Sequence, residues 1–172
     1  MMELMKRRIE IKKIEETKIR LFGENLKVNV KYSKIKNPEL NLEDNSINIY
    51  LPNKYKRTGN TEILKLALNK MYNEIARIEI EQVMEETRIL LNGLAPESYE
   101  IRKMNNSYAK CMKDKTIVIN PEIVKFDKNV LRYVVLREFC HLKYKSYAKG
   151  FYKMIEKYMP DYEKYDFMLN VA

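Results

Sequence analysis

Between residues 26 and 32, Leu26, Val28, Val30 and Tyr32 alternate with polar neighbours, the two-residue period of a half-buried strand. Ile9 and Ile11, and then Ile47, Ile49 and Leu51, repeat the pattern more briefly. Gly23-Glu24-Asn25 and Asp44-Asn45 are turn signals between them. These features predict a small antiparallel sheet within residues 1–58. The period then changes. Leu64, Leu68, Met71, Ile75, Ile78 and Ile89 fall on one helical stripe, which predicts a long helix over 61–92. Asn60 or Thr61 can cap its start, and Gly93 and Pro96 follow its end. A hairpin is expected from Tyr108–Met112 and Thr116–Asn120, turned by Lys113-Asp114-Lys115 and stopped by Pro121. Asp127 is suited to cap a helix that runs to about Tyr144. Helices over about 148–158 and 161–169 complete the chain, with Pro160 between them. The expected class is therefore α+β: a small antiparallel sheet packed on a long helix, then further helices. Residues 1–172 are expected to form a single domain, with a strand-rich part to residue 58 and a helix-rich part from 59.

Composition narrows the classes. Hydrophobic residues are 45% and charged residues 33%, and there are only 4 Gly and 5 Pro, a globular profile without long linkers. No window approaches the ~18 apolar residues that span a bilayer, so no membrane association is expected. Met1 to Lys13 lacks the apolar centre of a signal peptide. Cys111 and Cys140 form no disulfide framework, which points to a reducing, cytoplasmic location. The net charge of +9 is uneven: residues 61–92 carry four cations against six glutamates. A basic remainder can attract nucleic acid, although its lysines are mostly spread singly among acids, as on an ordinary soluble surface.

The chemistry concentrates on the helix from Asp127. Val130, Tyr133, Val134, Arg137, Cys140, His141 and Tyr144 share one mostly apolar face. The pentapeptide Arg137-Glu138-Phe139-Cys140-His141 reads as an HExxH zinc motif whose first histidine has become arginine. Two histidines at i and i+4 point the same way and can bind one zinc ion, and the glutamate between them activates the bound water. Here His141 is the only histidine among 172 residues. A guanidinium has no available lone pair and stays charged, so Arg137 cannot be a ligand. Arg137 can pair with an acid or reach out to solvent. Glu138 reads equally well as a relic of the motif or a surface helix residue. Cys140, turned about 100° from His141, reads as core rather than as a ligand.

Several segments taken in order carry a resemblance. Ile101-Arg102-Lys103-Met104 through Cys111 resembles the "RKMKTRWGSC" segment of YgjP-like zinc metallopeptidase domains, which belong to the WLM/SprT-like group of minimal gluzincins. Tyr133 to Leu142 resembles "YVVxHELCHL", Lys145 to Tyr152 resembles "MNHSKKFW", and Met159-Pro160-Asp161-Tyr162 resembles the "P-x-Y" that follows. The resemblance implies a gluzincin-like fold over nearly the whole chain, with Glu138 at the general-base position and His141 at a zinc-ligand position. It also implies that Arg137 and Tyr147 stand where the other two zinc histidines belong, and that Asn106 to Lys110 have lost the family's Arg, Trp and Gly. The expectation is a degenerate metallopeptidase-like protein with no cofactor, zinc being the family's metal. Such a protein would act by binding or regulation, most simply toward a protein partner. Two alternatives stay open: a zinc-dependent hydrolase with a site rebuilt on His141 and Glu138, and a nucleic-acid-associated protein.

Overall fold

The computed structural model describes residues 19–56 and 61–171. The expected strand at Ile9 and Ile11, and the cap at Asn60, lie outside them. The described residues are α+β, with four helices and two small mixed sheets. They fall into two compact units, divided between Asn73 and Glu74.

In the first unit, β1 (Ile19–Leu21), β2 (Glu24–Ser33), β3 (Glu39–Glu43) and β4 (Ser46–Pro52) form a sheet ordered β1-β2-β4-β3. Phe22 and Gly23, both at positive φ, turn β1 into β2. The expectation of an antiparallel sheet needs correction: β2 and β4 are parallel, with Val28 opposite Ile47 and Val30 opposite Ile49. The reason lies in β4 itself. Ile47, Ile49 and Leu51 are fully buried and Asn48 nearly so, and such a strand belongs at the centre of a sheet. β3 is mostly exposed and takes the edge, antiparallel to β4. The long helix α1 (Thr61–Leu90) begins in this unit, and Tyr72 donates its hydroxyl to the Arg20 carbonyl at 2.8 Å.

The second unit contains the rest of α1, which ends on Asn92 and Gly93 at positive φ, with the Gly93 N–H reaching the Arg88 carbonyl at 2.8 Å. Burial here falls on Ala76, Ile80, Val83, Met84, Thr87 and Leu91. Ile78 and Ile89, expected in the core stripe, are exposed. A stripe read at one pitch over 30 residues drifts off the buried side, because 3.6 residues per turn does not match a fixed spacing. A second sheet follows: β5 (Ser98–Ile101), β6 (Ala109–Cys111) and β7 (Thr116–Ile119), ordered β5-β7-β6. β6 and β7 form the expected hairpin, and β5, which the alternation did not reveal, pairs parallel to β7. A 3-10 turn at Pro121–Lys125 leads into α2 (Lys128–Lys143). The Asp127 carboxylate caps α2 by accepting from the Asn129 N–H at 2.8 Å. Then come α3 (Lys149–Tyr158) and α4 (Tyr162–Asn170). α2 packs against β6, α3 and α4, so the motif helix lies at the centre of this unit.

Candidate functional site

α2 is held as its sequence predicts. Its inner side buries Val130, Val134, Val135, Phe139 and Cys140. Its outer side is tied to α1 by Lys128–Glu79 at 2.8 Å and Arg132–Glu86 at 3.4 Å. On this rigid element, Glu138 is not a surface residue but a buried carboxylate, 3% exposed. Each of its oxygens has one donor: Oε1 accepts from Arg137 Nε at 3.2 Å, and Oε2 accepts from the Cys111 N–H on β6 at 2.8 Å. Burying a carboxylate is unfavourable unless it is paired and hydrogen-bonded, and both conditions hold here.

Arg137 does not reach out to solvent. Its guanidinium also lies 3.8 Å from Asp166 on α4 and 5.7 Å from the centre of the Tyr133 ring, one turn back on α2. Tyr133 in turn donates its hydroxyl to Asp166 at 2.7 Å. Burial alone would lower the Arg137 pKa, but Glu138 and Tyr133 together outweigh that and raise it. Burial, and then the Asp166 bond, push the Tyr133 phenol well above its usual range. The result is a closed network of one cation, two carboxylates and one phenol.

His141 stands apart from this network. Its Nδ1 lies 3.1 Å from the Tyr144 carbonyl. A carbonyl only accepts, so that nitrogen donates, and in the neutral ring Nε2 then keeps the lone pair. The ring stacks on Phe151 at 4.4 Å and meets Tyr147 edge-on at 5.1 Å. His141 and Tyr147 are thus brought together as the segment alignment implies, whereas Arg137 turns toward Tyr133 and Asp166. Cys140 is core: burial first, and then Glu138, push its thiol up to about 12. Burial and Glu138 also raise the Cys111 thiol.

The donor set does not fit the zinc that the resemblance implies. Among the described residues no group of three or more His, Cys, Asp or Glu could hold a metal ion. One imidazole remains, the nearby carboxylate has both oxygens engaged, and a fixed guanidinium lies one turn from His141. Catalytic zinc centres use three protein ligands and an open position.

Above Arg137 is a polar cleft of about 270 Å³, lined by the 104–108 segment, Asn120, Glu122, Arg137, Leu169 and Asn170. Asn120 builds its wall. Its Nδ2 donates to the Met104 and Ser107 carbonyls at 2.9 and 3.2 Å, and its Oδ1 caps the 3-10 turn by accepting from the Glu122 N–H at 3.2 Å. Glu122 bridges Lys103 and Lys125, each at 3.3 Å. Sequence reasoning missed Asp166, Asn120 and the Cys111 N–H. The i, i+4 spacing of Tyr133 and Arg137 was a usable signal for their contact. Nothing in the sequence separates Asp166 from its acidic neighbours Asp161 and Glu163.

A family model described as YgjP-like, metallopeptidase domain matches residues 1–172. An uncharacterized protein of Methanocaldococcus jannaschii is 34% identical over 74 residues, which is 42% of this chain and 67% of that protein. Similar solved structures include two metallopeptidase zymogens. Pyrococcus abyssi abylysin has a TM-score of 0.48 and 22% identity, covering 52% of this chain and 90% of its own. Methanocaldococcus jannaschii jannalysin has a TM-score of 0.46 and 29% identity, covering 54% and 87%.

Proposed function

The chain belongs to the YgjP-like metallopeptidase domain family, and within it we propose a copy in which an internal ion pair replaces zinc and which binds a protein segment without hydrolysing it. The observation that carries this reading is the bond between Arg137 and Glu138, 3.2 Å long between side chains that are 20% and 4% exposed. A general base must be free to take a proton from a metal-bound water. In this chain the residue at that position is engaged on both oxygens, by the guanidinium at the first ligand position and by a backbone N–H. Arg137 supplies the buried cation that the carboxylate requires, so the helix retains its electrostatic balance without a metal. Tyr147, at the third ligand position, packs edge-on against His141 and offers a phenol where an imidazole would be needed. The polar cleft above Arg137 remains, and its amide-rich wall suits the N–H and C=O groups of an extended peptide.

Elemental analysis of untagged protein, together with zinc titration calorimetry and a peptidase assay on unstructured substrates, tests the reading. The expected result is less than one zinc per ten chains and no zinc-dependent cleavage. Stoichiometric zinc that is lost on His141→Ala would overturn it.

One observation favours the rebuilt-site hydrolase as a second reading. The Nδ1 bond of His141 to a carbonyl is the arrangement that metal-binding histidines commonly use to aim Nε2. Zinc-dependent cleavage abolished by either His141→Ala or Glu138→Gln would establish that alternative.

A further inference from the structure

Four tyrosines stand in file across the second unit. Tyr133 and Tyr162 have ring centres 6.2 Å apart and 23° from parallel. Tyr162 to Tyr152 and Tyr152 to Tyr147 each repeat the step at 6.4 Å and 32°. Phe151 closes the outer end from the side, nearly perpendicular to both Tyr147 and Tyr152, at 5.2 and 5.3 Å. The inner end of the file already holds a cation. Arg137 lies over the Tyr133 ring at 5.7 Å, with Asp166 beside both. This is a complete cation–π site with its counter-charge, made within the chain.

The outer end has the same parts except the cation. Tyr147 and Tyr152 are 63% and 42% exposed, a large aromatic surface to leave in water. Glu156 lies one turn after Tyr152 on α3, on the same side. Burial, and then mainly Glu163 and Glu156, raise the Tyr162 phenol, in keeping with acids near the file. Among the described residues no lysine or arginine stands over Tyr147, Tyr152 or Tyr162, and none pairs with Glu156 or Glu163. The exposed Tyr147 and Tyr152 rings, with Glu156 one turn along α3 from Tyr152, leave a place for a cation from elsewhere.

We propose that Tyr147, Tyr152 and Glu156 form a receptor for a lysine or arginine side chain presented by an extended segment of a partner protein. The tyrosine faces supply cation–π attraction, strongest for a weakly hydrated guanidinium, and Glu156 supplies the counter-charge. Single-stranded nucleic acid is the competing occupant, since tyrosines also stack on bases and Lys149 and Lys153 flank Tyr152. Glu156, one turn after Tyr152 on the same side of α3, opposes a phosphate at the ring and favours the cation there, against Lys145, Lys149, Lys153 and Lys157.

The test is fluorescence anisotropy at physiological salt, where repulsion from lysines beyond about 8 Å is screened. The probes are a labelled peptide of three Gly-Arg-Gly-Ser repeats, the same peptide with citrulline for arginine, and a labelled oligothymidylate. The arginine peptide is expected to bind, and the citrulline peptide to bind at least tenfold more weakly. Tyr152→Ala should weaken arginine-peptide binding roughly three- to tenfold, Tyr152→Phe should leave it within twofold, and Glu156→Gln should weaken it a few-fold. Circular dichroism of each variant confirms folding. Equal binding of the two peptides, no binding of either, or indifference to Tyr152→Ala overturns the proposal. Oligothymidylate binding that is lost on Tyr152→Ala and competes with the peptide also overturns it, and makes the file a base-stacking surface.

Discussion

Glu138 is buried with one donor on each oxygen, and the two donors differ in kind. The Cys111 N–H belongs to the sheet and stays whatever happens to Arg137. Among the described residues, the Arg137 guanidinium is the only charge that balances the carboxylate at close range. Arg137→Ala therefore leaves a buried carboxylate half satisfied and uncompensated, and should cost about 1–3 kcal/mol in denaturant unfolding. Arg137→Lys should lie between, since it keeps the charge but gives up the fork that spans Glu138 and Asp166. A loss of under ~0.5 kcal/mol for the alanine variant would mean that the pair contributes no stability. Cys140 makes a second check at this scale. It is fully buried and its thiol is pushed up to about 12, so it should resist thiol reagents until the protein unfolds. Native protein should therefore react through Cys111 alone, and denatured protein through both thiols. Glu122 makes a third. Burial acts to raise its carboxyl, but the Lys103 and Lys125 bonds prevail and hold it below the ordinary carboxylate value. A lowered carboxyl stabilises the fold above its unfolded value and loses that stabilisation as pH falls through the folded one. Stability should thus decline below about pH 4.5, less steeply in Glu122→Gln, as pH-dependent denaturant melts would register. Of this chemistry, the arginine at the ligand position and its spacing from His141 were legible in the sequence, because helical geometry converts spacing directly into direction. The Asp166 contact was not, because it joins α2 to a helix 29 residues further on, and only tertiary packing selects which acid arrives.

The elements were legible where one force dominates. α2 begins at an aspartate cap and ends where the sequence leads one to expect, because capping and periodicity agree. The sheets were less legible, since alternation tells which residues form a strand but not which strand is its neighbour. In both sheets the chain lays down two strands and returns a third between them: β4 between β2 and β3, and β7 between β5 and β6. In both, the returning strand is the most buried of the three, with Ile47 and Ile49 in one and Ile117 to Ile119 in the other. Burial on both faces selects the central slot, and the central slot then forces one parallel pairing. The same logic makes Asn120 an element-scale residue. Following β7 immediately and 2% exposed, it holds the 104–107 segment and the 3-10 turn by three side-chain bonds. Asn120→Ala should cost about 2–3 kcal/mol, because it leaves buried backbone groups without their partner. The loss should be local as well as global. Amide exchange of the 104–108 segment should accelerate more than that of α2, and equal acceleration would mean that Asn120 serves only the core.

At the scale of the molecule, the proposed loss of the family's metal centre has two possible origins, two changed side chains or a moved frame. Metal binding to the native state stabilises the whole chain by mass action, so thermal unfolding reports it without reference to activity. For the wild type, neither zinc nor chelator should shift the melting temperature, since the donors number one imidazole and a doubly engaged carboxylate. In the double variant Arg137→His with Tyr147→His, the first new imidazole sits one turn from His141 on a rigid helix. The second replaces a ring whose centre is 5.1 Å from the His141 ring, within reach of a shared ion. His141 already presents Nε2 with its other nitrogen tied to the Tyr144 carbonyl. Removing Arg137 also removes a fixed charge that opposes a divalent ion, most strongly where the dielectric is low. It releases one oxygen of Glu138 as well. Zinc at a hundredfold its dissociation constant should then add about 2.7 kcal/mol, a rise of several degrees that chelator reverses. Each single variant should gain little, because two imidazoles fall short of three ligands. Should the folded double variant melt at the same temperature with and without zinc, the frame that once aimed the ligands has drifted. The ion pair would then be a feature of a reorganised core rather than a substitute for the metal.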